Sequence, residues 1–237
     1  MITNFNLGKL AKKKIEVLRN LKSRKEKSPD YRIIDIGGAK EKHFKGKFDF
    51  IDAYADRNKV DHKNIKHFNG NLNSESIWEE IKNDAKEHGK YDYCICNHTL
   101  EDLRNAPFVA NQIGEIAKEG FLSVPSKYQE FTRIGKDRGY AHHNWIFSVN
   151  DNKLSAFPKL NLIEAPIFDP LAHNGPLNNK KSELYIFWKN SVSLSVKVDI
   201  PEDDLKRTNN TFYVDPPTLK ANKKQLIETY KKLLLED

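Results

Sequence analysis

The stretch Tyr31-Arg32-Ile33-Ile34-Asp35-Ile36-Gly37-Gly38-Ala39-Lys40 constrains this chain more than any other. Arg32 to Ile36 predict a strand: Ile33, Ile34 and Ile36 are β-branched, and only Asp35 interrupts the apolar run. Such a run suits the middle of a parallel sheet with both faces covered. It stops at Gly37-Gly38, where glycine admits positive φ and lets the backbone come close to another molecule. A buried strand, an acid near its carboxyl end and a glycine turn make a nucleotide-type pocket, because ligands of open α/β sheets sit beyond the carboxyl ends of the strands. A tight turn that simply requires glycine accounts for the same ten residues. The dinucleotide fingerprint G-x-G-x-x-G is absent, which argues against NAD and for another adenosine-containing ligand.

The rest of the chain alternates in the same manner. Phe48 to Ala53 predict a second strand ending at Asp52, 17 residues after Asp35. An acid at about this distance, at the end of the next strand, is placed to accept hydrogen bonds from ribose hydroxyls. A short third strand over 64–72 ends in a turn at Gly70-Asn71, within reach of an adenine edge. Trp78 to Lys86 predict a helix, Tyr91 to Asn97 a fourth strand, Phe108 to Lys118 a helix, and Gly120 to Pro125 a fifth strand. Strands alternating with helices at this spacing predict an α/β fold with right-handed βαβ units and a doubly wound, mostly parallel sheet.

Outside this core the pattern changes. Leu7, Leu10, Ala11, Ile15, Leu18 and Leu21 carry a helical period, so residues 1–30 are expected to contribute an N-terminal helix. Residues 126–150 begin with a polar stretch and are assigned to the acceptor side of the 31–200 domain. Leu160 to Phe168 predict a strand. Ser182 to Trp188 and Val192 to Ile200 predict an antiparallel C-terminal hairpin. Residues 201–237 are expected to end in an amphipathic tail helix from Leu219 to Leu235, docked through Leu226, Ile227, Tyr230, Leu233 and Leu234.

Forty Lys and Arg against 33 Asp and Glu give a net charge of +7, which permits an anionic partner but also fits a solvated lysine-rich surface. The two cysteines, Cys94 and Cys96, share a strand face and cannot easily bond to each other. Two thiols without a cysteine framework suggest a reducing compartment. No run approaches the roughly 20 apolar residues of a membrane helix, and the N-terminus carries no apolar signal core. The expectation is a soluble cytoplasmic protein with no membrane partner.

The ordered set Ile34-Asp35-Ile36-Gly37-Gly38, Asp52, Gly70-Asn71-Leu72, Tyr91-Asp92, His98-Thr99-Leu100-Glu101-Asp102 and Glu115 to Pro125 resembles the Rossmann-like S-adenosylmethionine-dependent methyltransferases, of the methyltransferase-11 type. The resemblance covers residues 31 to 150. It departs from that pattern at Asp-x-Gly-Gly-Ala for Asp-x-Gly-x-Gly, at Asn71 where Asp is usual, and at Asp102 where His is usual. The resemblance implies S-adenosyl-L-methionine as cofactor. It implies Gly37 and Gly38 against the methionine part, Asp35 organising the turn, Asp52 at the ribose, and Asn71 at the adenine. Asn97 and His98 would line the methyl-donor end.

Ala141-His142-His143-Asn144-Trp145 is the densest chemical stretch outside the core. His142 and His143 are candidate general bases, since histidine titrates near neutrality, and His98 is a third. Glu101, Glu130, Arg133 and Arg138 are candidate acceptor-binding groups. Loop histidines bonded only to local backbone would also explain the pair. No metal is assigned: adjacent histidines on an extended strand point to opposite faces, and no dedicated ligand spacing is present. The expected activity is methyl transfer to a small polar or sugar-containing acceptor such as a glycan precursor. A nucleic-acid (RNA) methyltransferase and a non-catalytic cofactor-binding module are the alternatives. Acceptor identity and oligomeric state are not encoded in any motif.

Overall fold

The computed structural model describes residues 1–8, 10–38, 48–51, 65–134, 137–150, 153–171, 182–197, 205–208, 211–214 and 216–235. In chain order the elements are β1 (Ile2–Gly8), α1 (Leu10–Lys27), β2 (Ile33–Ile36), β3 (Asp49–Ile51), β4 (His67–Phe68), α2 (Glu75–His88) and β5 (Tyr91–Asn97). Next come α3 (Ala106–Ile116), β6 (Ala117–Pro125), α4 (Lys127–Phe131), β7 (Arg133–Ile134), β8 (Asp137–Arg138), β9 (Trp145–Asn150) and β10 (Lys153–Pro158). The chain closes with β11 (Glu183–Lys189), β12 (Leu194–Val196), β13 (Leu205–Thr208), β14 (Thr211–Val214) and α5 (Pro216–Leu235).

Among the described residues, seven strands form one sheet in the order β1-β11-β6-β5-β2-β3-β4. The block from β6 to β4 is parallel throughout, as the apolar character of its strands predicts. The period of two sorts its side chains between two faces. Ile33, Tyr93, Ile95 and Phe121 pack with Val17 and Leu21 of α1 on one face. Ile34, Ile36, Cys94, Cys96, Leu122 and Val124 face Trp78 and Ile81 of α2 and Val109 and Ile113 of α3 on the other. The sheet is therefore covered on both sides, a doubly wound α/β architecture. Both cysteines are free and buried on one face. No helix among the described residues is long and apolar enough to cross a membrane.

Three expectations are corrected. Ile2–Gly8 is not part of a helix but a strand antiparallel to β11, so the N-terminal segment belongs to the main sheet. The described part of Val192–Ile200 does not pair with β11, because both edges of that strand are taken, by β6 and β1. That part, β12, instead runs parallel to β10. Leu160–Phe168 forms two 3₁₀ turns rather than a strand. Ile163 N donates to Leu160 O, Ala165 N to Leu162 O and Phe168 N to Ala165 O, so Leu160, Ile163 and Phe168 all reach the core. The tail helix is present, with Leu226 and Tyr230 buried and the Tyr230 hydroxyl donating to Pro158 O. The side chains of Leu233 and Leu234 lie outside the described residues.

Two contacts hold the layers in register. Gly120 on β6 lies between Cys94 and Trp188 on its neighbours. A Cβ there would overlap the Cys94 carbonyl and come within 2.6 Å of the Trp188 ring. At the amino ends of the strands, Asp84 of α2 accepts hydrogen bonds from Lys66 Nζ (2.7 Å), Tyr91 Oη (2.9 Å) and the Arg32 guanidinium. Burial raises the Asp84 carboxyl, but the donors, Lys66 first, outweigh it and hold the group below its ordinary 3.8.

Gly120→Ala is expected to lower unfolding stability by about 1–3 kcal/mol, the cost of overpacking, as measured by urea denaturation. Asp84 has a depressed folded pKa, so its stabilisation is complete above 3.8 and is lost as pH falls through the lower folded value. Asp84→Asn should therefore destabilise strongly at neutral pH and progressively less as pH falls below 3.8. Equal destabilisation across that range would contradict the assignment.

Candidate functional site

The chain leaves β2 outward in both directions, through β3 to β4 on one side and β5 to β6 on the other. The carboxyl ends of β2 and β5 thus border the crevice where α/β sheets hold ligands. Backbone and hydroxyl groups tie this edge together. Gly37 N donates to Ile51 O (2.9 Å) and His98 N to Ser123 O (3.0 Å). The Thr99 hydroxyl is shared between Ile36 O (3.1 Å) and Asn97 O (3.0 Å). Gly37 has φ +78°, and a Cβ there would lie 2.5 Å from Thr99 Oγ1. A Cβ on Gly38 would overlap the Asp35 carboxylate. Both glycines are required by their neighbours, Thr99 at Gly37 and Asp35 at Gly38.

Asn97 is buried at this edge. Its Oδ1 accepts from Ser123 Oγ (3.0 Å), while its Nδ2 has no hydrogen-bond partner among the described residues. A buried donor without an acceptor costs about 1–3 kcal/mol, so the amide is available to a ligand. Asn71 is exposed, and its Oδ1 accepts from Asn73 N (2.9 Å) and Asn73 Nδ2 (3.1 Å), which shapes the turn before α2. Asp52 lies outside the described residues.

Beside the crevice lies a second depression, a cavity of about 420 Å³ lined by His98, Glu101, Asp102, Tyr140, His142, His143 and Glu183. Glu183 reaches it because antiparallel β11 begins opposite Pro125, at the carboxyl end of β6. His98 lines this cavity with φ +46°, an uncommon backbone setting for a residue with a Cβ. Its Nδ1 meets Glu101 Oε1 at 2.9 Å and its Nε2 meets Glu183 Oε2 at 2.9 Å. Burial disfavours the imidazolium, but the two carboxylates, Glu101 foremost, outweigh it and push the group up to about 10. Burial also raises the Glu101 carboxyl, a shift that the His98 charge opposes. His98 is thus protonated at neutral pH. A general base must be unprotonated to act, so His98 is not placed to serve as one.

The polar segment after Pro125 is ordered. α4, the β7–β8 hairpin and a turn at 141–142 compact it, and Glu130, Arg138, His143 and Asn144 are buried within it. Glu130 accepts from Lys159 Nζ (2.7 Å) and lies 2.6 Å from His143 Nδ1. It does not line the cavity and instead orients the histidine that does. Arg138, with no exposed surface, donates to Asp169 Oδ1 (2.5 Å) and Phe168 O (3.2 Å). Arg133 pairs with the same aspartate at 2.9 Å. These two arginines brace the 3₁₀ turns and do not face the cavity, contrary to their expected acceptor-binding role. Because His142 and His143 sit at a turn and not on a strand, both direct Nε2 toward Asp102 Oδ1, at 3.8 Å each. The premise that adjacent histidines diverge fails here.

Sequence reasoning missed Lys159, Glu183 and Tyr140. Lys159 had a signal: a lone cation following the apolar run Leu154-Ser-Ala-Phe-Pro158 implies a buried acid partner. Glu183 had none, since only the strand order carries it to the cavity.

No protein-family model and no curated protein matches this chain. Among solved structures it is similar to the N-terminal domain of EvdMO1 with SAH bound, at 11% identity over 48% of this chain and 51% of that one, with a TM-score of 0.32. The same domain in the presence of SAH and D-fucose gives 12% identity over 48% and 52%, with a TM-score of 0.30. The methyltransferase domain of bacterial CtHen1-CN gives 11% identity over 73% of this chain and 96% of that one, with a TM-score of 0.37. The chain spans about half the length of the two EvdMO1 structures.

Proposed function

We propose that this protein is an S-adenosylmethionine-dependent methyltransferase acting on a hydroxyl of a small polar or sugar-containing acceptor. The observation that carries this reading is the run Asn97-His98-Thr99. Asn97 offers a buried donor in the switch-point crevice, Thr99 holds the glycine turn, and His98 forms the wall shared with a polar cavity. A cofactor space and an acceptor space therefore meet at consecutive residues.

Asp35, Gly37, Gly38 and Asn97 would hold the methionine end of the cofactor, Asp52 the ribose and Asn71 the adenine. The Asn97 Nδ2, buried and without a hydrogen-bond partner among the described residues, fits such a ligand. S-adenosylmethionine supplies a methyl group already activated on a sulfonium. The protein's work is then to hold the acceptor in line and exclude competing geometries. His98, with Nδ1 held by Glu101 and Nε2 by Glu183, fixes the shape of the cavity wall beside Asn97. Assistance to loss of the acceptor proton falls to the group of Asp102, His142 and His143 across the cavity. An RNA acceptor is the second reading, permitted by the net charge of +7.

Calorimetry against S-adenosylmethionine, SAH and NAD tests the cofactor. SAH is expected to bind and NAD not to. Asn97→Ala and Asp52→Ala should each weaken SAH by about 1–3 kcal/mol, the scale for an unpaired buried polar group, with thermal unfolding as the folding control. Unchanged SAH affinity in both variants would refute the crevice assignment. RNA affinity falling steeply with salt, together with methyl transfer to RNA, would move the acceptor to the second reading. For His98, NMR titration is expected to show no transition at the ordinary 6.5 and a shift only near 10. Its folded pKa is raised, so its contribution to stability is full below 6.5 and is lost as pH rises through about 10.

A further inference from the structure

We infer that Asp102, His142 and His143 bind a divalent first-row transition cation in the wall of the cavity. One donor atom from each residue lies within 4.8 Å of the other two. Both imidazole Nε2 atoms stand 3.8 Å from Asp102 Oδ1. That is too long for a hydrogen bond, which closes to about 3 Å. It is near the spacing that a shared ion sets: bonds of about 2.0–2.2 Å place the donors of a tetrahedral site roughly 3.4 Å apart. Each Asp102–histidine separation is within a few tenths of an ångström of that value, and the two imidazole donors lie within 4.8 Å of each other. His142, exposed at the turn, has the freedom to move closer.

The surroundings prepare the donors. Glu130, fully buried, is neutralised on one oxygen by Lys159 and meets His143 Nδ1 at 2.6 Å with the other. A carboxylate only accepts, so a hydrogen resides on Nδ1 and Nε2 is the ring atom turned toward Asp102. A carboxylate behind a metal-ligating histidine is the usual outer arrangement of such sites. Asn144 Nδ2 donates to Asp102 O (2.8 Å) and Asn144 N to Glu101 O (2.6 Å), which locks the aspartate's loop to the histidine turn. The Tyr140 ring packs 5.7 Å from His142 and 5.0 Å from His143, limiting both imidazoles.

The donor set names the ion. Two imidazole nitrogens and one carboxylate suit zinc, manganese, iron or cobalt, whereas magnesium and calcium prefer all-oxygen sites. Three protein donors leave positions open toward the cavity. A hydroxyl or water bound there loses its proton more readily, and the proton leaves to bulk water. The imidazoles then act as ligands and not as bases. Cation binding stands on this geometry alone; the role in activating an acceptor hydroxyl rests on the methyltransferase reading.

The test uses the full chain stripped with chelator and titrated with CoCl₂, followed by visible absorption, with ZnCl₂ and MgCl₂ as competitors. One equivalent of cobalt is expected to bind, to be displaced by zinc and not by magnesium. Asp102→Asn and His142→Ala should each weaken binding by more than about 100-fold, and Glu130→Gln by about 10–100-fold, the range for outer partners of metal ligands. His142 is exposed, so His142→Ala keeps the fold testable if Glu130→Gln does not. Absence of cobalt binding, or binding that His142→Ala leaves unchanged, would overturn the inference. SAH calorimetry on the chelator-stripped protein separates the two ideas: SAH binding with no cation site defeats only this inference, and a cation site with no SAH binding defeats only the cofactor assignment.

Discussion

The cavity wall that follows β6 is arranged around one buried carboxylate. Glu130 has no exposed surface, and an ion taken out of water costs several kcal/mol unless partners replace the solvent. Lys159, from the end of β10, and His143, from the turn before β9, supply them. Gly139 makes room: a Cβ there would collide with the Glu130 carboxylate and lie 2.8 Å from Lys159 Nζ. Meeting the needs of one charge thus draws α4, the β8 corner and the β9–β10 hairpin into a single wall. Removing one partner of such a buried pair costs about 3–5 kcal/mol. That coupling explains why a stretch as polar as 126–144 is compact rather than loose.

A similar dependence holds at the sheet edge. The Thr99 hydroxyl bonds both Ile36 O and Asn97 O, joining the ends of β2 and β5 across the switch point. The same side chain fills the space that makes Gly37 a glycine. His98, one residue earlier, takes positive φ, a setting that persists only when surrounding contacts over-determine it. Here two carboxylates clamp its ring and Ser123 O holds its amide. The result is a fixed post in the cavity wall.

Much of the core was legible because its strands carry the signal themselves. Ile33 to Ile36, Tyr91 to Asn97 and Gly120 to Pro125 are continuous apolar runs, and each occupies the buried interior of the sheet. Ile2 to Gly8, at the sheet edge, lay beside a helical period beginning at Leu7, and the helix pattern masked it. Leu160 to Phe168 is apolar enough for a strand, yet it joins none of the sheets among the described residues, and it turns in 3₁₀ steps toward the core. Val192 to Ile200 alternates well, but β11 had no free edge to offer. Pairing partners are a property of the assembled sheet and not of a local pattern.

From residue order alone came the alternation of strand and helix, the glycine turn after Ile36, and the candidate histidines. These follow from local steric preference and hydrophobic periodicity, which act within a few residues. The folded arrangement decided what those groups can do. It placed His98 between Glu101 and Glu183, 82 residues apart in sequence, and so turned a candidate base into a fixed cation. It consumed Arg133 and Arg138 in ion pairs with Asp169, and it converged His142 and His143 on Asp102. Charge state and ligand geometry depend on distances of a few ångströms between residues remote along the chain, and only tertiary packing sets those distances.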